Sequence, residues 1–353
     1  MERKYYLDRI RWGTVLLVLV YHVFYLYNAE GVFGSVHSFA EVQYQDALLY
    51  VVYPWFMALL FLVAGISSRY ALMHRSHKQF LKERTVKLLV PSTLGLFAFQ
   101  WMVGYFYIQT GGGVEAIPVA IRYPIMAVSG TGPLWFAQTL WLFALLLVLV
   151  RKLDRQDRFY EICGKTNTVV ILLCGLLLWG SAQILNMPVL TTYRFGIYGM
   201  TYFLGYFVFS HEEVMERIEK MRLPMLCIAI GLCVGYVWHY FGTNYTESAC
   251  LKSLFTNVYA WVAILAILGC GKAWWNVDSK LNAYMTKASF GIYVVHYLVA
   301  LMFCYALVTY IHLPVVVTYA LALIGVLVLS PLLYEILRRI PVLRYCILGI
   351  QKG

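Results

Sequence analysis

The sequence predicts an all-α polytopic membrane protein of about ten transmembrane helices, with the N-terminus and the C-terminus both cytoplasmic. Three observations carry this. Of the 353 residues, 61% are hydrophobic and 13% charged, against about half apolar and a quarter charged in a soluble domain. The apolar residues are gathered along the whole chain into stretches that match the roughly 20 residues a spanning helix needs. With the N-terminus inside, 25 of the 28 Lys and Arg fall in inner loops and ends, and only Arg122, Arg194 and Lys252 fall in outer ones. That imbalance is the signature of cytoplasmic loops.

The ten segments, in chain order, are 10–29, 47–69, 86–109, 133–150, 168–186, 192–210, 223–242, 252–271, 288–309 and 314–337. Several contain Gly or Pro, which helices surrounded by neighbours in a membrane tolerate. The longest outer connections, 28–46 and 110–132, are too short for an appended domain, so the chain reads as one domain over 1–353. The first apolar stretch runs on into Tyr-rich sequence with no small-residue cleavage site, which argues against a cleaved signal peptide. The net charge of +11 lies in short runs between apolar segments, as expected beside an anionic leaflet rather than along nucleic acid. The eight Cys sit mostly inside apolar runs and form no CxxC pair, so neither a disulfide framework nor a metal site is expected. No residue-level repeat supports an inverted-repeat transporter.

Ionisable residues inside the membrane then point to function, because their burial is costly. "RIRWGTVLLVLVYH" places Arg11 and His22 on one helix. Eleven residues are close to three turns, so both project from one face, separated by roughly 16 Å along the axis. Asp8, one turn before Arg11, is spaced to pair with it. A fixed cation at the inner rim and a titratable ring deeper in the bilayer suit a long anionic ligand entering from the cytoplasm. The alternative is a histidine hydrogen-bonded to a neighbouring helix for packing. "FLKERTVKLLVP" (80–91) brings Arg84 and Lys87 to a helix start, where free N–H groups and the dipole favour phosphate. Trp135 in "GPLWFAQTLWLF" is either an interfacial belt residue or a wall for a sugar or an acyl channel. Tyr293 and His296 in "ASFGIYVVH" lie on adjacent turns, and His296 is either structural or functional. Arg194 in "TTYRFGIYG" either meets an anionic acceptor or snorkels. Glu335 beside Arg338 and Arg339 reads as an inner-surface salt bridge. The aromatic residues Trp101, Tyr105, Tyr107 and Trp135 fit sugar stacking and lipid interfaces equally.

These motifs, with "FLVAGISSRYAL" (61–72) and "YFLGYFVF" (202–209), resemble in their order the membrane acyltransferase-3 family over nearly the whole chain. The most specific element is Arg, ten residues, then His. The resemblance implies an integral-membrane O-acyltransferase of the bacterial cytoplasmic membrane. Such an enzyme moves an acyl group from cytoplasmic acyl-coenzyme A, acetyl-CoA or succinyl-CoA, to a hydroxyl of an extracytoplasmic glycan or other surface molecule. It implies that His22 is the catalytic residue and that Arg11 helps to hold the donor. The family's Arg-x-x-Arg in the third helix stands here as Arg84-x-x-Lys87, and Lys lacks the bidentate phosphate geometry of Arg. The rival reading is a transporter or flippase for a glycan or lipid-linked sugar, which also needs a polar cavity and midplane histidines.

Overall fold

The computed structural model describes residues 3–32, 34–187 and 192–351. Among them the chain is helical, with one isolated antiparallel bridge, Asn186 to Arg194, as its only extended pairing. Seven helical segments are long and apolar enough to cross a membrane: Tyr5–Leu26, Tyr44–Leu72, Gly132–Leu153, Arg222–Tyr240, Leu254–Trp274, Lys280–Ile311 and Val315–Leu337. Each overlaps one predicted segment. An eighth is reached if Arg158–Gly164 and Thr168–Ser181, bent by 115° at their junction, count as one span.

The other predicted segments are present in shorter pieces. The stretch 168–186 appears as Thr168–Ser181, and 192–210 as Phe195–Phe207. The stretch 86–109 is interrupted. Pro91 has no N–H to give to the Lys87 carbonyl, and the preceding turn, Thr85–Leu89, is wound wider than an α-helix, with the Val90 N–H reaching the Thr85 carbonyl at 3.0 Å. A second wide turn, Leu96–Gln100, leads into the helix Trp101–Thr110.

The chain gathers into two compact units. One comprises Met1–Thr14, Tyr44–Phe80 and Leu142–Thr286. Its central contact is the crossing of Phe56–Leu72 with Phe195–Phe207. A Cβ added at Gly65 would strike the Tyr202 carbonyl, and one at Gly205 would strike the Leu62 carbonyl, so the two backbones touch. This is the close approach that small residues allow between membrane helices. The Tyr202 hydroxyl donates to Ser68 Oγ at 2.9 Å, and Phe61 stacks on Tyr198 with ring centroids 4.8 Å apart. At one end of this unit Asp157 pairs with Arg151 and with Arg69 at 3.0 Å, and the Arg69 guanidinium lies 3.6 Å from the Tyr160 ring centroid.

The other unit comprises Val15–Gln43, Leu81–Trp141 and Lys287–Gly353. Here Trp101–Thr110 packs on Val119–Ser129 through a second reciprocal pair. Gly104 lies against the Met126 carbonyl and Gly130 against the Gln100 carbonyl. The interrupted segment is tied to the start of the helix Trp135–Leu153. Gln138 Nε2 donates to the Ser92 carbonyl at 2.9 Å, and Trp141 Nε1 donates to Thr85 Oγ1 at 3.0 Å. The Glu335–Arg338 ion pair expected from the sequence forms at 2.6 Å.

A buried histidine pair as the candidate active site

His22 lies in the helix Tyr5–Leu26, whose run of Thr, Val, Leu and aromatic residues is uniformly apolar around the ring. In that setting the nearest polar partner is the helix's own backbone. His22 Nδ1 stands 2.8 Å from the Val18 carbonyl, four residues earlier. A carbonyl oxygen can only accept, so Nδ1 carries the hydrogen and Nε2 of the neutral ring keeps its lone pair.

His296, in the helix Lys280–Ala306, is oriented by the same device. Its Nδ1 is 2.5 Å from the Tyr293 carbonyl, so it also holds the hydrogen at Nδ1. Its Nε2 lone pair then faces His22 Nδ1 at 3.1 Å. The ring centroids are 4.9 Å apart and the planes tilted by 52°. The His22 Nδ1–H therefore lies between two acceptors, the Val18 oxygen and the His296 nitrogen. His22 is half-buried, whereas His296 is 0% exposed.

The turn that carries His296 is clamped from two sides. The Tyr293 hydroxyl donates to the Pro133 carbonyl, and Gln100 Nε2 donates to the Val294 carbonyl at 2.9 Å. Tyr293 also meets Phe136 edge-on at 5.7 Å. Trp135, directly before Phe136 in sequence, is buried at 9% exposure.

A group of phenols packs around the His22 ring. Tyr297 meets the ring edge-on at 4.9 Å, Tyr21 at 5.3 Å and Tyr25 at 5.8 Å. The Tyr297 and Tyr107 hydroxyls share a hydrogen bond of 2.5 Å. Tyr25 and Tyr107 converge beside Gly34, whose φ of +95° is open to glycine and strained for other residues. Tyr25 and Tyr297 carried no distinguishing mark in the sequence, being two among 29 tyrosines.

The remaining candidates fall as follows. Arg11, eleven residues before His22 on the same helix, pairs with Asp8 at 2.8 Å and reaches the Thr286 carbonyl at 3.5 Å. Asp8 also receives Arg3 at 2.9 Å. Arg84 and Lys87 do not stand at a helix start as the sequence suggested: Arg84 ends the helix His77–Arg84 half-buried, and Lys87 stands exposed in the wide turn that continues from it, so no free helix N–H groups back them. The wide winding spreads the two side chains further round the axis than three residues of α-helix would. Arg194 belongs to the first unit, where it is 4% exposed and donates to the Leu251 carbonyl at 3.0 Å. It is held inside that unit and does not snorkel.

Long apolar helices with a hydrogen-bonded histidine pair in one of the units define an integral membrane protein with a polar centre. A family model described as an acyltransferase domain matches residues 4–335, and the chain belongs to that family, the membrane acyltransferase-3 proteins. Similar proteins include glucans biosynthesis protein C of Escherichia coli O157:H7 and of E. coli K12. Each is 22% identical over 371 aligned residues, covering 99% of this chain and 95% of the relative. No solved structure matches the chain.

Proposed function

We propose that this chain moves an acetyl or succinyl group from cytoplasmic acyl-coenzyme A to a hydroxyl of an extracytoplasmic glycan, with His22 as general base. In this reading ten membrane crossings leave both termini in the cytoplasm of a bacterial cell. The positive charge of the inner loops supports that orientation. The family membership supports acyl transfer, and the names of the E. coli relatives support a glycan acceptor.

The observation that carries the proposal is the 2.8 Å contact of His22 Nδ1 with the Val18 carbonyl. With its Nδ1–H held between the Val18 carbonyl and His296 Nε2, Nε2 of the neutral ring keeps its lone pair, ready to take a proton. The acceptor hydroxyl gives its proton to Nε2 as its oxygen attacks the thioester carbon. The carbon–oxygen bond forms, the carbon–sulfur bond breaks, and the departing thiolate takes the proton from Nε2. The ester and the free thiol are the products, and His22 returns to its starting state.

The donor's phosphates need cations. Arg84, at the end of a helix, and Lys87, on the exposed wide turn, are suited to hold them, and Arg11 helps on the helix of His22. Arg84 offers the two-pronged contact that Lys87 does not.

The test is His22→Ala in the purified full-length protein, with acetyl-CoA or succinyl-CoA as donor and a glucan oligosaccharide as acceptor. Transfer is expected to fall by about 10²- to 10⁴-fold, the range for removing a general base. Thermal stabilisation of the protein by coenzyme A should remain, because the variant leaves the cationic residues in place. Wild-type transfer rates in the variant would end the assignment.

A further inference from the structure

An imidazole in the interior of a membrane helix is costly unless it has a partner or a task. His22 is partly exposed. His296, at 0% exposure, is not. An apolar side chain would fill the same volume, so packing does not explain a histidine there.

What His296 supplies is an acceptor. Its own hydrogen is spent on the Tyr293 carbonyl at 2.5 Å, which turns the Nε2 lone pair toward His22 Nδ1 at 3.1 Å. The hydroxyl of Tyr293 and the carbonyl of Val294 are themselves fixed, to Pro133 and by Gln100. The chain thus fixes the backbone turn, the turn fixes the His296 ring, and that ring faces the proton of His22.

We propose that His296 is a positioning residue, which holds His22 as the Nδ1–H tautomer and accepts its Nδ1 hydrogen bond while His22 is protonated. The inference rests on the reading of His22 as general base. During the transfer His22 carries hydrogens on both nitrogens, from the loss of the hydroxyl proton until the thiolate takes it. In that interval Nδ1–H becomes a charge-assisted donor, shorter and stronger than in the neutral ring. A preorganised acceptor, already aimed at it, stabilises the cation without rearrangement. Soluble hydrolases use a carboxylate in this place. Here a neutral ring and a backbone oxygen do the same task without a fixed negative charge in the bilayer.

The test uses the full-length protein in detergent, with histidine nitrogens labelled by 15N. Wild-type His22, assigned by its loss in His22→Ala, is expected to show a single Nδ1–H tautomer. An Nε2–H tautomer in the wild-type protein would overturn the proposal. His296→Gln keeps an acceptor near the position of Nε2, and His296→Met keeps the volume without it. The Gln variant is expected to retain the tautomer and most of the transfer rate from acetyl-CoA. The Met variant is expected to mix tautomers and to lose about 10²-fold in kcat, with the KM for acetyl-CoA unchanged. Wild-type kcat in His296→Met, or equal losses in the Gln and Met variants, would refute the positioning role. If the tautomer responds to His296 as expected while His22→Ala still transfers at full rate, the general-base reading fails and the positional coupling of the rings stands.

Discussion

Gly65 lies against the Tyr202 carbonyl so closely that the oxygen occupies the place of a Cβ. Gly205 does the same to the Leu62 carbonyl one step along the crossing. The helices Phe56–Leu72 and Phe195–Phe207 therefore meet backbone to backbone, and the obstacle to any larger residue is a main-chain oxygen that cannot rotate away.

Replacing either glycine by alanine sets two effects against each other. Alanine gains about 1 kcal/mol in helix propensity, while forcing the backbones apart costs about 1–3 kcal/mol. The second is expected to win, so Gly65→Ala and Gly205→Ala should lower the unfolding temperature in detergent. Gly231, in Arg222–Tyr240, has nothing within 4 Å of its would-be Cβ, and Gly231→Ala should leave that temperature unchanged or raise it. Equal stability of all three variants would show that the crossing is looser than described.

Arg84 offers a kinetic prediction. Removing a charge-assisted contact to phosphate is worth about 1.5–3 kcal/mol, so Arg84→Ala should raise the acetyl-CoA concentration for half-maximal rate at least about tenfold. The rate at saturating donor should hold, since the residue is proposed to meet the donor's phosphates and not the reacting bond. Arg84→Lys should fall between the two. A donor titration in which all three proteins superimpose would remove Arg84 from the donor site.

Glu212 gives a pH dependence outside the spanning segments. Burial pushes its carboxyl up, but hydrogen bonds from Lys272 and Lys4 outweigh this and hold it below the ordinary value of 4.5. Both lysines pair with it, Lys272 at 2.6 Å. A depressed folded value means that the stabilisation is fully present above about 4.5 and is lost as the pH falls through the folded value. Wild-type unfolding temperature should therefore drop more steeply below that pH than in Glu212→Gln, with the two curves separated at neutrality and converging in acid. Parallel curves throughout would mean that the ion pairs contribute nothing.

Topology is open to a direct measurement. Ten crossings place both ends of the chain in the cytoplasm, and seven would place them on opposite sides. Reporter fusions at the two ends, each active on one side of the membrane only, are expected to report cytoplasm for both. One cytoplasmic and one outer end would exclude an even number of crossings.

The sequence was most legible where a signal is local. Apolar runs located each of the seven long helices, and the spacing of Asp8 and Arg11 anticipated their ion pair. It was less legible where structure depends on chain interruption. Pro91 was visible, but hydropathy averages across it, and the wide turns on either side have no residue pattern of their own. The candidate site was half readable. His22 and His296 each stood out because ionisable groups are rare in such segments. Their pairing joins residues 274 apart, and nothing local encodes it. The Tyr107–Tyr297 hydrogen bond, spanning 190 residues, was hidden for the same reason among many tyrosines. The Val18 carbonyl was hidden differently, since a backbone oxygen four residues back is available to every helical histidine and marks none of them.

Both histidines, as neutral rings, spend their one hydrogen on a main-chain oxygen within their own helix, and such a resting pair has no net charge. A neutral centre has little power to draw water into hydrocarbon. Thioesters are lost to stray hydrolysis wherever water gathers, and a dry centre limits that loss. In the proposed reaction the pair would wait beside a loaded donor without wasting it, and the arrival of a hydroxyl would be the event that starts transfer.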